Sequence, residues 1–299
     1  MATVSAPTRI AIEKIIVATD FSACADSALK YAVGLANRYR SALYTVNVLP
    51  HTPFVESADV DPEKIRRSAE SKMADMAGSE LFKGITHTEL IQEGEVADVL
   101  SDLVRQNHID LIVLGTEGRT GLRKFLLGSE AEVVFRTAEC PVLTLGPHAS
   151  RCLGGNVRHI MFATDFGPES VHGLPYALSL AEEHRARLTL LHVAHEAGFV
   201  GSEGAMPAMT PYEEVASGEQ KLRELITNEP PLWPAPEYLV QIGEPAETVL
   251  RIAAKDVDLI VLGVKRSALL SKHLGSGVAY RIVCEAPCPV LSVGAQYQR

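Results

Sequence analysis

Asp110-Leu111-Ile112-Val113-Leu114-Gly115 occurs a second time, letter for letter, as Asp258-Leu259-Ile260-Val261-Leu262-Gly263, 148 residues downstream. Four consecutive branched aliphatic residues between an acid and a glycine read as a strand that is apolar on both faces. Such strands belong to parallel sheets covered by helices on each side. Further echoes lie on either side of this block. Ile16-Val17-Ala18-Thr19-Asp20-Phe21 returns as Met161-Phe162-Ala163-Thr164-Asp165-Phe166, and Tyr31-Ala32 and Leu35-Ala36 return as Tyr176-Ala177 and Leu180-Ala181. Gly94-Glu95 returns as Gly243-Glu244, and Cys140-Pro141-Val142-Leu143 as Cys288-Pro289-Val290-Leu291. Blocks repeated in the same order mean a duplicated unit with a period of about 147 residues, too long for a solenoid. The stretch Gly146 to Val157, with Pro147, Gly154 and Gly155, reads as the join. The chain therefore divides into domains 1–148 and 156–299.

Within the first unit, strand and helix patterns alternate. Ile15–Thr19, Leu43–Leu49, Thr86–Gln92, Leu111–Leu114 and Val142–Leu145 read as strands. Ala25–Arg38, Pro62–Gly78, Val96–Gln106 and Glu130–Ala138 carry apolar residues at helical spacing. The second unit is expected to repeat this order, with one helix near Tyr212–Asn228 and a proline-rich stretch at Pro230–Pro236. The fold class is thus α/β: two tandem doubly wound five-stranded parallel sheets, Rossmann-like, with helices on both faces.

The 299 residues fit two domains of ordinary globular composition, with 46% hydrophobic and 22% charged residues. The net charge is −9, from 28 basic and 37 acidic residues, and both halves share it. No nucleic-acid partner is expected of so acidic a chain. Five cysteines, an odd number with no Cys-x-x-Cys pair, argue against a disulfide framework or a cysteine-based zinc site. No apolar run approaches the length of a membrane span and no leader is visible, so a cytoplasmic protein is expected.

Open parallel sheets bind ligands at the carboxyl ends of their strands, where strand order reverses. Asp20 follows the first strand. The fourth strand runs into Gly115-Thr-Glu-Gly118-Arg119-Thr-Gly-Leu-Arg-Lys-Phe-Leu-Leu-Gly128-Ser129, spaced G-x2-G-x9-G-S. Glycines let backbone approach a phosphate closely, and the helix after Gly128-Ser129 offers free amides and a positive dipole end to anionic oxygens. Arg119, Arg123 and Lys124 make the loop locally basic. It is neither a Walker A loop nor a Rossmann fingerprint, since no Gly-Lys-Ser/Thr closes it and the glycines follow the fourth strand.

Ala18-Thr19-Asp20, Gly94-Glu95, Asp110–Gly115, the glycine loop and Cys140-Pro-Val-Leu together resemble the universal stress protein family in its tandem two-domain form, over essentially the whole chain. The resemblance implies an adenine-nucleotide alpha-hydrolase-like fold and an ATP site, with or without Mg, in the first half. Asp20 would bond the ribose or adenine side with Thr19 beside it. Val48 would offer backbone groups to the adenine edge, and Leu114 would pack on the base. Gly115, Gly118, Arg119, Gly128 and Ser129 would hold the phosphates. Glu130 and Ala131 depart from the family pattern: Glu130 sets a negative charge beside the phosphates and Ala131 supplies no hydroxyl. The resemblance also implies contact between the two halves through Val142–Leu145 and Val290–Val293, an intramolecular pair imitating a dimer, with a homodimer of the whole chain as a further association.

The second loop, Gly263-Val-Lys-Arg266 through Gly275-Ser276, has Arg266 in place of the second glycine and is one residue shorter. ATP is not expected there, although Lys265, Arg266, Lys272 and His273 could hold a smaller anion. Blander duties stand beside these readings. Asp20 could cap the following helix, as could Ser22. His192 and His195 lack further metal ligands in view. Neither a nucleophile with a paired base nor a metal motif appears, so no catalytic or metal residue is assigned. The functional expectation is a nucleotide-dependent stress-response regulator. The alternatives are a slow ATPase, an autophosphorylating enzyme, or a scaffold that binds no nucleotide.

Overall fold

The computed structural model describes residues 10–50, 61–116, 129–147, 149, 157–194, 210–227, 232, 234–265 and 277–294. The first half runs β1 (Lys14–Ala18), α1 (Ala23–Tyr39), β2 (Ala42–Leu49), α2 (Pro62–Ala77), a single 3-10 turn Glu80–Phe82, β3 (His87–Glu93), α3 (Val96–Asn107), β4 (Leu111–Gly115), α4 (Ser129–Thr137) and β5 (Val142–Leu145). The second runs β6 (His159–Ala163), α5 (Pro168–Val171), α6 (Leu174–His184), β7 (Arg187–Ala194), α7 (Pro211–Leu225), β8 (Glu237–Ile242), α8 (Pro245–Asp256), β9 (Leu259–Val264), α9 (Val278–Glu285) and β10 (Val290–Gly294). Each expected element of the first half is present, within a residue or two of its expected ends.

Each half is a five-stranded parallel sheet, ordered β3-β2-β1-β4-β5 and β8-β7-β6-β9-β10. Side-chain alternation explains why its strands are apolar throughout. Ile15 and Val17 face the layer of α1, whereas Ile16 faces the layer holding Leu100 of α3 and Val134 of α4. The repeated acid before β4 has a structural duty. Asp110 Oδ2 accepts from the backbone amides of Glu13 and Lys14, each at 2.9 Å, and Asp258 Oδ2 accepts from Arg158 and His159 at 2.8 and 3.0 Å. The repeated Gly-Glu pair is explained by Gly94 at φ +143° and Gly243 at φ +151°, a region that side chains rarely adopt.

The second half departs from a simple repeat in its first helix. Pro175 stands where Lys30 sits inside α1, and it lacks the amide a continuous helix needs there. The helix is accordingly split into α5 and α6, with Pro175 in the first turn of α6.

The two sheets join edge to edge. β5 and β10 pair antiparallel, with Leu143 opposite Leu291, Val142 opposite Ser292 and Thr144 opposite Val290, so one ten-stranded sheet results. Equivalent positions meet along the seam. Tyr39 Oη lies 3.1 Å from His184 Nε2, the Arg38 guanidinium donates to the Glu183 carbonyl at 2.7 Å, and Tyr280 Oη donates to Glu132 at 3.4 Å on the other face. Burial and then the charge of Arg38 push the His184 imidazole down from 6.5 to about 4.

An unfolded chain takes up that proton near pH 6.5, whereas the folded chain resists it down to about pH 4. Stability from neutral His184 is therefore complete above pH 6.5 and drains away as pH falls through that window. Thermal unfolding between pH 7 and pH 4 should show a smaller fall in Tm for His184→Gln than for the wild type; equal slopes would mean that the seam histidine is not the titrating group.

Candidate functional site

The first strand ends in a turn that its own side chains hold. Thr19 Oγ1 accepts from the Phe21 amide at 3.0 Å, and Asp20 Oδ1 accepts from the Ser22 amide at 2.9 Å. Ser22, not Asp20, is the cap of α1, its Oγ accepting from the Ala25 amide at 3.2 Å. Between these anchors Phe21 lies at φ +62°, a left-handed conformation that disfavours a bulky residue. The second half repeats the device. Phe166 lies at φ +63°, its amide donates to Thr164 Oγ1 at 2.9 Å, and the Gly167 amide donates to Asp165 Oδ1 at 2.8 Å. Lys72 sits 5.3 Å from the Phe21 ring centre and Lys221 5.6 Å from that of Phe166, a cation–π contact in each half.

A cavity of about 290 Å³ opens beside the first turn, at the carboxyl ends of β1, β2 and β4. Strand order reverses between β1 and β4, so this is the crevice where doubly wound sheets take ligands. Thr19, Asp20, Val48, Leu114, Gly115, Ser129 and Glu130 all line it. Gly118, Arg119 and Gly128 lie outside the described residues, as do Arg123, Lys124, Arg266 and His195. Thr116, which sequence reading did not single out, also lines the cavity. It is buried, and its Oγ1 has no hydrogen-bond partner among the described residues. Its position directly after the β4 glycine was the available signal.

The described walls combine apolar and polar surface: Val48, Val96, Leu114 and Val134 are apolar, Asp20 brings a carboxylate and Thr116 a hydroxyl. Ser129 is the first residue of α4, so the unpaired amides of that helix's first turn lie at the edge of the cavity. Glu130 stands beside it. Burial and then the charge of Glu95 push its carboxyl above the usual range, opposed by a hydrogen bond from the Val96 amide at the head of α3.

Gly115 has a packing reason to be glycine as well as a place on the cavity floor. A Cβ there would lie 2.9 Å from the Cys24 carbonyl carbon and 3.0 Å from its oxygen, so α1 could not approach so closely. At Gly263 a Cβ would collide still more severely with the carbonyls of Glu169 and Ser170.

A second cavity, of about 670 Å³, occupies the equivalent place in the second half. Ala163, Thr164, Asp165, Val193, Leu262 and Gly263 wall it as their repeats wall the first. His192 lines it too, with Nδ1 donating to the Thr164 carbonyl at 2.9 Å. Among the described residues no group of three or more His, Cys, Asp or Glu side chains could hold a metal ion. No described helix is long and apolar enough to cross a membrane.

Comparison with known proteins gives a consistent result. The universal stress protein family matches residues 11–145 and again 156–294. A universal stress protein of Methanocaldococcus jannaschii is 33% identical over 144 residues, covering 44% of this chain and 81% of that one. One from Mycolicibacterium smegmatis is 26% identical over 298 residues, covering 93% of this chain and 96% of its own length. The crystal structure of a universal stress protein from Archaeoglobus fulgidus superposes with a TM-score of 0.71 over 95% of this chain and 99% of that one, at 17% identity, and so shares the fold.

Gly115→Ala should destabilise the chain by about 1–3 kcal/mol in chemical denaturation, the usual range for overpacking. Adding Cys24→Ala should restore only part of that loss, because the Sγ contact at 3.0 Å goes while the two backbone contacts remain; a full rescue would place the conflict on the sulfur alone.

Proposed function

This chain belongs to the universal stress protein family, and from that premise we propose that its first half binds an adenine nucleotide, ATP with or without magnesium. Occupancy then sets the conformation or partner choice of the chain in a stress response. The observation that carries the reading is convergence. Seven residues scattered from Thr19 to Glu130 surround one cavity at the switch point, and a G-x2-G-x9-G-S loop leaves its floor at Gly115 and returns to its rim at Ser129. Apolar walls and the Asp20 carboxylate favour the base and sugar. The glycine spacing of the loop and the head of α4 favour the phosphates.

The same geometry favours binding over turnover. In-line phosphoryl transfer needs a group that orients the attacking oxygen. Asp20 is tied to its own turn at the nucleoside end, and Glu130 is engaged with the Val96 amide. Magnesium, when it accompanies the nucleotide, neutralises part of the phosphate charge. Glu130 works against that charge and limits affinity. We also read the two halves as an intramolecular pair that imitates a dimer; the antiparallel β5–β10 edge, where equivalent residues meet, supports this.

Binding of ATP, followed by isothermal titration, should be abolished in Gly118→Arg, which copies the second half, while Tm stays unchanged. Retained affinity would move the site elsewhere. Asp20→Ala should weaken ATP far more than inorganic phosphate, and equal losses would remove its assignment to the nucleoside end. Glu130→Gln should tighten ATP several-fold, and weaker binding would mean that the carboxyl supports the site instead of opposing it.

A further inference from the structure

Two helix heads meet at the rim of the first cavity, and each brings a carboxylate. Glu95 is the residue before α3, Glu130 stands in the first turn of α4, and the two helices pack together. Val96, Ser129 and Glu130 line the cavity. The side chain of Glu95 does not cap its own helix. Among the described residues neither acid has a cationic partner; the ion pairs of these helices join Arg136 to Glu132, and Arg105 to Asp102 and Glu139. Thr116 lines the same cavity at 2% exposure, with no partner for its Oγ1 among the described residues, so a buried polar group is left for a ligand to satisfy.

The second half has neutralised the same place. Glu244, the repeat of Glu95, accepts from the amides of Ala246 at 3.2 Å and Glu247 at 2.7 Å, and it pairs with Arg281 at 3.0 Å. Arg281 stands where the first half has Val133, and Val278 where it has Glu130. The facing acids thus distinguish the first half from its repeat.

Burial and then the Glu95 charge hold the Glu130 carboxyl above its usual range, against the bond from the Val96 amide. The charged groups around it are Glu95 at the head of α3, Asp20 on the cavity wall and Glu132 on its own helix, the last tied to Arg136. Arg119, Arg123 and Lys124 of the loop lie outside the described residues. A triphosphate arriving at the head of α4 adds like charge beside this carboxyl and favours its protonated form further.

We propose that nucleotide binding in the first half is coupled to uptake of one proton by Glu130, so that acidification strengthens it. The proposal rests on reading the first cavity as a nucleotide site. The proton comes from solvent and settles on a carboxylate oxygen, and no other bond changes. At high pH the ionised carboxyl opposes the phosphates. As pH falls, the nucleotide-bound chain takes up the proton before the free chain does, and the opposition disappears. By linkage the effect is reciprocal: nucleotide strengthens proton binding as much as the proton strengthens nucleotide binding.

The test is isothermal titration of ATP, without magnesium, into the full chain and into Glu130→Gln between pH 8 and pH 5, in pairs of buffers that differ in ionisation heat. The terminal phosphate of ATP titrates with both proteins, so the difference between them isolates the carboxyl. At pH 8 the variant should bind ATP several-fold tighter. By pH 5 the wild type should close that gap to within about twofold, and it alone should show the additional proton uptake. Glu95→Gln, which keeps the carboxyl but removes its charged neighbour, should move that uptake to lower pH. Adenosine, which has no phosphates, should show no gap; a gap of the same size would mean that the carboxyl acts on base or sugar and overturns the proposal. So does a gap in ATP affinity that stays constant with pH, or equal proton uptake by the two proteins. Magnesium that strengthens ATP in the wild type but not in Glu130→Gln overturns it too, by making the carboxyl a cation ligand. If ATP binds neither protein at any pH, the nucleotide reading of the first half fails and the coupling falls with it; ATP bound with a constant gap removes the coupling alone.

Discussion

A five-stranded parallel sheet whose last strand lies at its edge leaves one row of amides and carbonyls bare. In this chain the two such edges satisfy each other. β5 and β10 pair antiparallel around Leu143 and Leu291, and the apolar layers on both faces run across the seam without interruption. Tyr31 and Leu35 of α1 share one layer with Leu178 and Leu180 of α6, so neither half completes its core alone. The positions of both cavities follow from this arrangement. With β5 and β10 consumed at the centre, each switch point lies at the same remove from the seam.

The second constraint is local. Holding Phe21 and Phe166 at positive φ costs about 1–3 kcal/mol apiece by the usual scale of backbone strain. The same three side-chain contacts oppose that cost in each half: a threonine hydroxyl, an aspartate carboxylate and a lysine over the ring. The strained turn is kept twice and stands beside a cavity both times. The glycine at the end of the fourth strand belongs to the same unit, since it admits the helix that the turn launches.

Much of this was legible in the residues. The repeated Asp-Leu-Ile-Val-Leu-Gly block, the alternation of apolar strands with helical spacing and the position of the glycine loop lead to the doubly wound halves and to the cavity. What escaped depends on partners distant in the chain. Asp110 reads only as the acid before an apolar strand until it meets amides almost a hundred residues earlier. Gly115 reads as a phosphate glycine until the approach of Cys24 supplies a second reason. Nothing in the letters marks Phe21 for a left-handed turn, because bulky residues have no pattern there. The split of the first helix in the second half was announced by Pro175, a signal visible in the sequence that the repeat itself obscured. The lining that α7 gives the second cavity, through Glu214, Ser217 and Lys221, was hidden because it depends on where that helix packs.

Fusing the two halves into one polypeptide has a genetic corollary. In an assembly of identical subunits, any substitution at a symmetric contact strikes both sides together, so the two faces must remain copies. Here one codon alters one side only. Tyr39 faces His184, Glu132 faces Tyr280, and Arg266 answers Gly118 without altering it. Such a molecule can drift apart from itself, keeping one pocket for an ancestral task while the other is free to acquire a new one.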